Sequence, residues 1–160
     1  MDQQITKDVR RFAGLLGLDA AQLEAAKAAW AEIEPHMPDL IEAFYAHLFA
    51  NDLHIIFEGR DLPRLKAAQL GYWSALFAGG FDAAYKTHVV KINVQHYAAG
   101  VDLSDYIAAY AWFSERFADI IARCDPPKPF ERNDLLMATN KVIYLDMMIA
   151  AASLETTFLD

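Results

Sequence analysis

Helix-breaking residues occur in a few clusters of this chain, and that distribution constrains the fold more than any other sequence feature. Gly79-Gly80 and the proline-rich run over 125–129 separate long segments rich in Ala, Leu, Glu and Lys. These are good helix formers. No segment alternates apolar and polar residues between turn signals, as a half-buried strand would. The sequence therefore predicts an all-α fold.

Capping signals predict seven or eight helices. The expected N-caps are Asp19, Asp61 and either Asp102 or Ser104, and the expected C-terminal stops are Gly17, Gly79 and Gly100. A third helix is expected to open at Asp39, after breaks at Pro35 and Pro38. The other predicted helices run approximately over 6–16, 19–34, 61–78, 81–99, 102–124 and 131–157, with short turns over 51–59.

Composition excludes several classes of protein. We expect one domain over residues 1–160, because 160 residues with 55% hydrophobic content can build one sizeable core. A net charge of −8 argues against binding to nucleic acid or an anionic membrane. The single cysteine, Cys124, cannot form an intrachain disulfide or a cysteine-based zinc site. No run approaches 18 apolar residues and no signal peptide precedes the first helix, so we expect a cytoplasmic protein without a membrane span.

The sequence contains five histidines and no hydrolase, kinase or dinucleotide-binding motif. His88 and His96 share a helix face but lie two turns apart, too far to bind one ion together. His96 is near the end of a helix, among the apolar residues Val89, Ile92 and Val94. From the residues alone, His96 is either a metal ligand or, more commonly for such a position, a hydrogen-bonded core or surface histidine.

An ordered set of segments resembles the globin-coupled sensors, the haem-containing sensory globins of bacteria and archaea. The matching segments are Trp30–Pro35 with Leu40–Tyr45, Arg64–Gln69 with Tyr72-Trp73 and Leu76–Gly79, Tyr85 with Ile92–His96 and Gly100-Val101, Tyr106–Tyr110, and Asp146-Met147. The resemblance spans nearly the whole chain and implies a globin fold with an extra helix before the A helix. Asn93 departs from it, because the family usually has glycine there.

The resemblance also implies roles for individual residues around a haem b. His96 matches the proximal iron ligand, and Tyr45 matches the distal tyrosine. Tyr106 matches a G-helix tyrosine that lies near the proximal histidine, and Leu65 and Ala68 match positions that line the distal side. Further cofactor-binding candidates that would wall an apolar haem pocket are Phe44, Trp73, Val89, Ile92 and Tyr110. Candidate partners for the haem propionates are His54, Arg64, Lys66, Lys86 and Lys91.

The resemblance further implies an oxygen sensor rather than an enzyme, with carbon monoxide and nitric oxide as additional ligands. Oxygen would bind a five-coordinate ferrous haem, and a homodimer of the last two long helices would carry the signal to an attached output module. The apolar residues expected to form this dimer are Tyr110, Phe113, Phe117 and Ile121 on one helix and Ile143, Met147, Ala150, Ala151 and Leu154 on the other. A buried stripe facing the chain's own core is the alternative interpretation of each set.

Two other functions remain open from the sequence. One is a stand-alone haem globin for oxygen binding or nitric oxide detoxification, although no flavin or nicotinamide motif supplies its electrons. The other is a haem-free helical interaction domain. An absorption spectrum of the purified protein separates this last alternative from the two haem proteins.

Overall fold

The computed structural model describes the backbone of residues 2–158, and the side chains of residues 9–53, 55–82, 84–85 and 87–153. Every regular element in this part of the chain is helical, which confirms the predicted fold class. The α-helices are α1 (Asp2–Leu16), α2 (Ala20–Ile33), α3 (Met37–Ala50), α4 (Leu62–Ala78), α5 (Ala83–Ala98), α6 (Leu103–Arg123) and α7 (Arg132–Phe158). Two 3-10 turns, Glu34–His36 and Leu53–Phe57, flank α3.

Helix α7 is the centre of the fold. It packs against α1, α2, α4, α5 and α6. One apolar stripe of α7 faces the core at helical spacing; it includes Leu135, Ala138, Val142, Leu145 and Ile149. The segment Arg132–Ser153 has the length and composition of a membrane span, but half of its most apolar window is buried within the fold. A core helix passes the same composition test, and the packing of α7 identifies it as one.

The expected helix ends agree closely with the structure. Asp19 accepts a hydrogen bond from the backbone N–H of Gln22, and Asp61 accepts one from that of Arg64. Gly79 ends α4 in the left-handed conformation that favours glycine. Helix α1 begins at Asp2 rather than at Thr6, so the prediction missed its first turn.

The junction between α2 and α3 differs from the prediction. Helix α3 begins at Met37, so Asp39 lies in its first turn and is not its N-cap. The two prolines lie in the first turns of the 3-10 segment and of α3. Proline costs little in a first turn because its missing N–H would have no partner there. The prolines therefore tighten the junction instead of opening a loop.

The predicted dimer stripe on α6 is wrong. Tyr110, Phe113, Phe117 and Ile121 are each 5% exposed or less and belong to the core of their own chain. On α7, Ile143 and Ala150 are also buried, whereas Met147 and Ala151 are half-buried. Leu154 lies outside the described side chains. The helical spacing was correct, but on α6 it marked the inward face, and on α7 it included the core residues Ile143 and Ala150.

Candidate functional site

The corner between α5 and α6 fixes the position of His96. Gly100 has a φ of 83°, and this left-handed turn lets the N–H of Val101 donate to the carbonyl of His96 at 3.0 Å. Two residues later, Asp102 and Asp105 form a reciprocal capping box at the start of α6. The first bond closes the end of α5, and the capping box fixes the start of α6.

The His96 ring lies edge-on to Tyr106 across this corner, with ring centroids 5.2 Å apart and planes at 87°. His96 Nδ1 lies 2.9 Å from the carbonyl oxygen of Ile92. A carbonyl only accepts, so Nδ1 carries the proton and Nε2 has a free lone pair. His96 is exposed as a residue, yet partial burial of its imidazole lowers the pKa of His96 below its ordinary value. The ring therefore favours the neutral form, with Nε2 as a potential metal ligand.

Tyr45 lies on α3 in apolar surroundings. It is 6% exposed, and its ring packs against Phe57 at 5.2 Å and Phe49 at 6.5 Å between centroids. Burial raises the pKa of Tyr45 to about 12, so the hydroxyl keeps its proton. Among the residues that the structure describes, none forms a hydrogen bond with this hydroxyl. Tyr45 therefore has an O–H donor that no described residue uses, on a ring that packs in apolar surroundings.

A continuous wall of aromatic rings connects Tyr45 with His96. From Tyr45 the contacts run through the residues Phe44, Phe113, Trp73, Tyr110 and Tyr106, with successive centroids 4.7–6.0 Å apart. All but Tyr106 are nearly completely buried. The two candidate polar groups thus lie at opposite ends of one apolar surface.

The remaining predicted wall residues have different environments. Leu65 and Ile92 are half-buried against the core, whereas Ala68 is exposed on α4. Val89 is completely buried. The structure thus leaves Ala68 accessible for contact with a ligand and makes Val89 part of the packed core.

The cationic side chains near the site are only partly those that the sequence predicted as partners for the haem propionates. Lys66 Nζ lies 5.4 Å from the centroid of the Tyr45 ring and forms an ion pair with Glu42 at 2.6 Å. Arg64 and Lys91 are exposed, and the side chains of His54 and Lys86 lie outside the described residues. Sequence reasoning missed Arg60, whose charge is close enough to contribute to the lowered pKa of His96.

Sequence reasoning also missed a polar cluster in the core. Asp146 of α7 is completely buried and accepts hydrogen bonds from the hydroxyls of Tyr72, Tyr85 and Tyr110, which belong to three different helices. The sequence contained a signal, because Asp146 is the only charged residue in the apolar stretch 142–153 of α7. A charge in a core stripe requires partners, but their identity depends on helices distant in sequence.

Asn93, one turn before His96, has a structural role. Its side chain is 3% exposed and donates to Ser153 Oγ at 2.7 Å, with a longer contact of 3.4 Å to the carbonyl of Ala150. The amide therefore joins the carboxyl-terminal half of α5 to that of α7. A glycine could not make this contact.

These residues satisfy the main requirements of a haem site. A neutral imidazole has one nitrogen fixed and the other free, an apolar aromatic wall is present, and an unused phenol donor lies at its far end. Among the described residues, no group of three His, Cys, Asp or Glu side chains could hold a metal ion. The donor set suits a cofactor that brings four of its own iron ligands better than a metal centre made of protein alone.

Comparison with known proteins identifies the class of fold as a globin. The structure matches the globin domain of the Geobacter sulfurreducens globin-coupled sensor with a TM-score of 0.79, over 91% of this chain and 96% of that chain, at 22% sequence identity. The protoglobin family model matches residues 6–157. The chain therefore belongs to the protoglobin family, which implies a haem-binding globin. No curated protein sequence gave a significant match. The resemblance inferred from the sequence is thus confirmed.

Proposed function

We propose that this chain is a haem-based oxygen sensor domain in which His96 binds the iron. The observation that carries the proposal is the 2.9 Å contact between His96 Nδ1 and the carbonyl oxygen of Ile92. This contact requires the proton on Nδ1 and leaves Nε2 unprotonated, as a nitrogen that can bind a metal. The family resemblance implies haem b, and a single cysteine, Cys124, cannot provide the paired thiols of a covalently attached haem.

The proposed binding chemistry follows from the two ends of the aromatic wall. A bound haem would supply an iron that can bind an imidazole and a diatomic gas. His96 holds the cofactor from the α5 side, and its bond to Ile92 keeps the ring oriented. Tyr45 donates its unused hydrogen bond to the gas from the α3 side. Dioxygen gains more from such a donor than carbon monoxide does, because its bound form is more polar.

Substitution of His96 tests the proposal directly. His96→Ala should lose the five-coordinate ferrous spectrum and release haem more than about 10-fold faster, measured by transfer to apomyoglobin. His88→Ala is the matched control, since His88 lies two turns earlier on α5 with its ring 5.9 Å from that of Tyr72. Wild-type spectra and haem retention in His96→Ala would disprove the assignment, as would a purified protein that does not take up haem.

We further propose that a groove on the α6–α7 face holds a second copy of the chain. The groove has a volume of about 320 Å³ and is lined almost entirely by apolar side chains: Leu16, Leu103, Tyr106, Ile107, Tyr110, Tyr144, Met147, Met148 and Ala151. Ile107 is 47% exposed and Tyr144 is 54% exposed. Tyr106 and Tyr110 also belong to the wall that leads to His96, so pairing of two copies here would be sensitive to haem ligation.

Charge substitution in the groove tests the dimer. Ile107→Asp should convert the dimer into a monomer in sedimentation experiments at matched protein concentration. Ile55→Asp is the control, because Ile55 is 67% exposed but lies outside the groove. A wild-type monomer at high concentration in both ligation states would contradict the dimer without affecting the haem assignment.

The wider setting follows from the same proposal. The domain is cytoplasmic, acts by binding rather than catalysis, and passes its signal to an attached output module. A stand-alone globin that binds oxygen or removes nitric oxide is the other candidate. Turnover with nitric oxide and a supplied reductant would favour that alternative, whereas oxygen-dependent activity of an attached module would favour the sensor.

A further inference from the structure

The cluster around Asp146 is the most unusual chemical feature of the core. The carboxylate is completely buried, and no cation among the described residues forms an ion pair with it. Three phenol O–H groups donate to it instead, and the Tyr72 hydroxyl oxygen lies 2.6 Å from both carboxylate oxygens. Burial nevertheless raises the pKa of Asp146, because desolvation outweighs these hydrogen bonds.

Such an arrangement costs stability compared with an apolar core of the same volume. A buried charge loses several kcal/mol of solvation, and only well-directed donors offset that loss. Each O–H···O⁻ bond is short and directional, so the carboxylate fixes the orientation of three rings more strictly than apolar packing would. The geometric effect of Asp146 is therefore to set the positions of Tyr72, Tyr85 and Tyr110.

Only one of the three tyrosines leads to the candidate haem ligand. The Tyr110 ring contacts Tyr106 at 5.3 Å between centroids, and Tyr106 in turn lies edge-on to His96 at 5.2 Å. The ring contacts of Tyr72 and Tyr85 are instead with His88 and Phe81. Burial and then the Asp146 charge raise the pKa of Tyr106, and Tyr106 is also close enough to contribute to the raised pKa of Tyr72 and of Tyr85, so only the ring contacts distinguish Tyr110 from the other two.

We propose that Asp146 is a positioning residue for His96, acting through Tyr110 and Tyr106. The carboxylate holds Tyr110, Tyr110 supports Tyr106, and Tyr106 limits the rotation of the imidazole about its Cβ–Cγ bond. The inference rests on the proposed iron-binding role of His96. It assigns the orientation of the iron ligand to a residue on α7, the same helix that contributes to the proposed dimer face.

Phenylalanine substitutions test this route, because three equivalent hydroxyls donate to one carboxylate and only one is connected to His96. Tyr110→Phe, Tyr72→Phe and Tyr85→Phe are prepared with haem bound. The iron–histidine stretching band of the ferrous protein is recorded by resonance Raman spectroscopy. Tyr110→Phe should shift this band and accelerate haem loss by up to about 10-fold. Tyr72→Phe and Tyr85→Phe should leave the band in its wild-type position.

A second measurement uses the haem-free protein. The imidazole resonances of His96 in labelled apoprotein should broaden or shift in Tyr110→Phe and remain unchanged in Tyr72→Phe. Should Tyr110→Phe fail to fold, Asp146→Asn, which keeps the side-chain volume, replaces it in both experiments with the same expected shift.

The outcomes separate this inference from the proposed function. Equal shifts in all three phenylalanine variants, or no shift in Tyr110→Phe, would overturn the positioning role while leaving His96 as the iron ligand. An iron–histidine band that persists in His96→Ala would instead overturn the proposed function itself. A shift confined to Tyr110→Phe supports the positioning role.

Discussion

The polar groups at the two ends of the aromatic wall differ in their hydrogen bonding. At the α3 end, Tyr45 lies among apolar rings, and its hydroxyl forms no hydrogen bond with any residue that the structure describes. At the other end, His96 Nδ1 is bonded to Ile92, and Tyr110 is bonded to the buried carboxylate of Asp146. The Tyr45 hydroxyl therefore has no partner among the described residues, whereas the donors at the His96 end form hydrogen bonds that hold His96 and Tyr110 in place.

This difference suits a site that holds a cofactor from one side and responds to a small ligand on the other. Prior hydrogen bonds at the His96 end mean that little ordering is needed when the imidazole binds a metal. At the Tyr45 end, the O–H has no partner among the described residues and can donate to a polar ligand. We therefore expect the hydrogen bonding of Tyr45 on α3 to change when a ligand binds, while the hydrogen bonds around His96 stay as they are.

The largest predicted effect is on the stability of the fixed end. Asp146→Ala leaves three phenols without their acceptor in the core, and we expect a loss of about 3–5 kcal/mol in the free energy of unfolding. Urea denaturation followed by circular dichroism measures this loss. Asp39→Ala is the control, since Asp39 is exposed in the first turn of α3 and should cost less than about 1 kcal/mol.

A combined variant tests whether the loss comes from unpaired phenols. Asp146→Ala together with phenylalanine at positions 72, 85 and 110 removes donors and acceptor at once. This variant should be more stable than Asp146→Ala alone, because an apolar core has no polar group to satisfy. Simple addition of the four individual losses would contradict that explanation.

The next predicted effect is a difference in unfolding free energy among the phenylalanine variants of the four buried tyrosines. Tyr72→Phe, Tyr85→Phe and Tyr110→Phe should each lower the free energy of unfolding by about 1.5–3 kcal/mol, the range for a hydrogen bond to a charged group. Tyr45→Phe should change it by less than about 0.5 kcal/mol, because no protein partner is lost. Thermal and urea unfolding of the four variants measures the difference. A loss of unfolding free energy in Tyr45→Phe as large as in the others would mean that the Tyr45 hydroxyl has a hydrogen-bond partner in the folded protein.

The sequence predicted the helices well because their ends are determined locally. Asp19, Asp61 and Gly100 act within a few residues of themselves, so their caps can be inferred without knowing the fold. The all-α class and the candidates His96 and Tyr45 came from the residues and from a family resemblance that was later confirmed.

What the sequence could not reveal depends on contacts between distant helices. Helical spacing identified an apolar stripe on α6 that includes Phe113 and Phe117, but not whether it faced a partner or its own core. Asp146 stood out only as one charge in an apolar helix, and its three tyrosines are 36–74 residues away in the chain. Such pairings appear only when the helices are packed together.

The smallest predicted effect concerns the Tyr45 hydroxyl. Tyr45→Phe should raise the dissociation rate of dioxygen about 5- to 30-fold, equivalent to losing a hydrogen bond of about 1–2 kcal/mol at 1.4 kcal/mol per tenfold change. Carbon monoxide should dissociate at nearly the wild-type rate, because it gains less from the phenol. Flash photolysis and stopped-flow mixing measure both rates. Tyr144→Phe is the control, since Tyr144 is 54% exposed on α7 and lines the α6–α7 groove. Unchanged dioxygen release in Tyr45→Phe would make Tyr45 an ordinary core residue, and the two ends of the wall would then not differ in function.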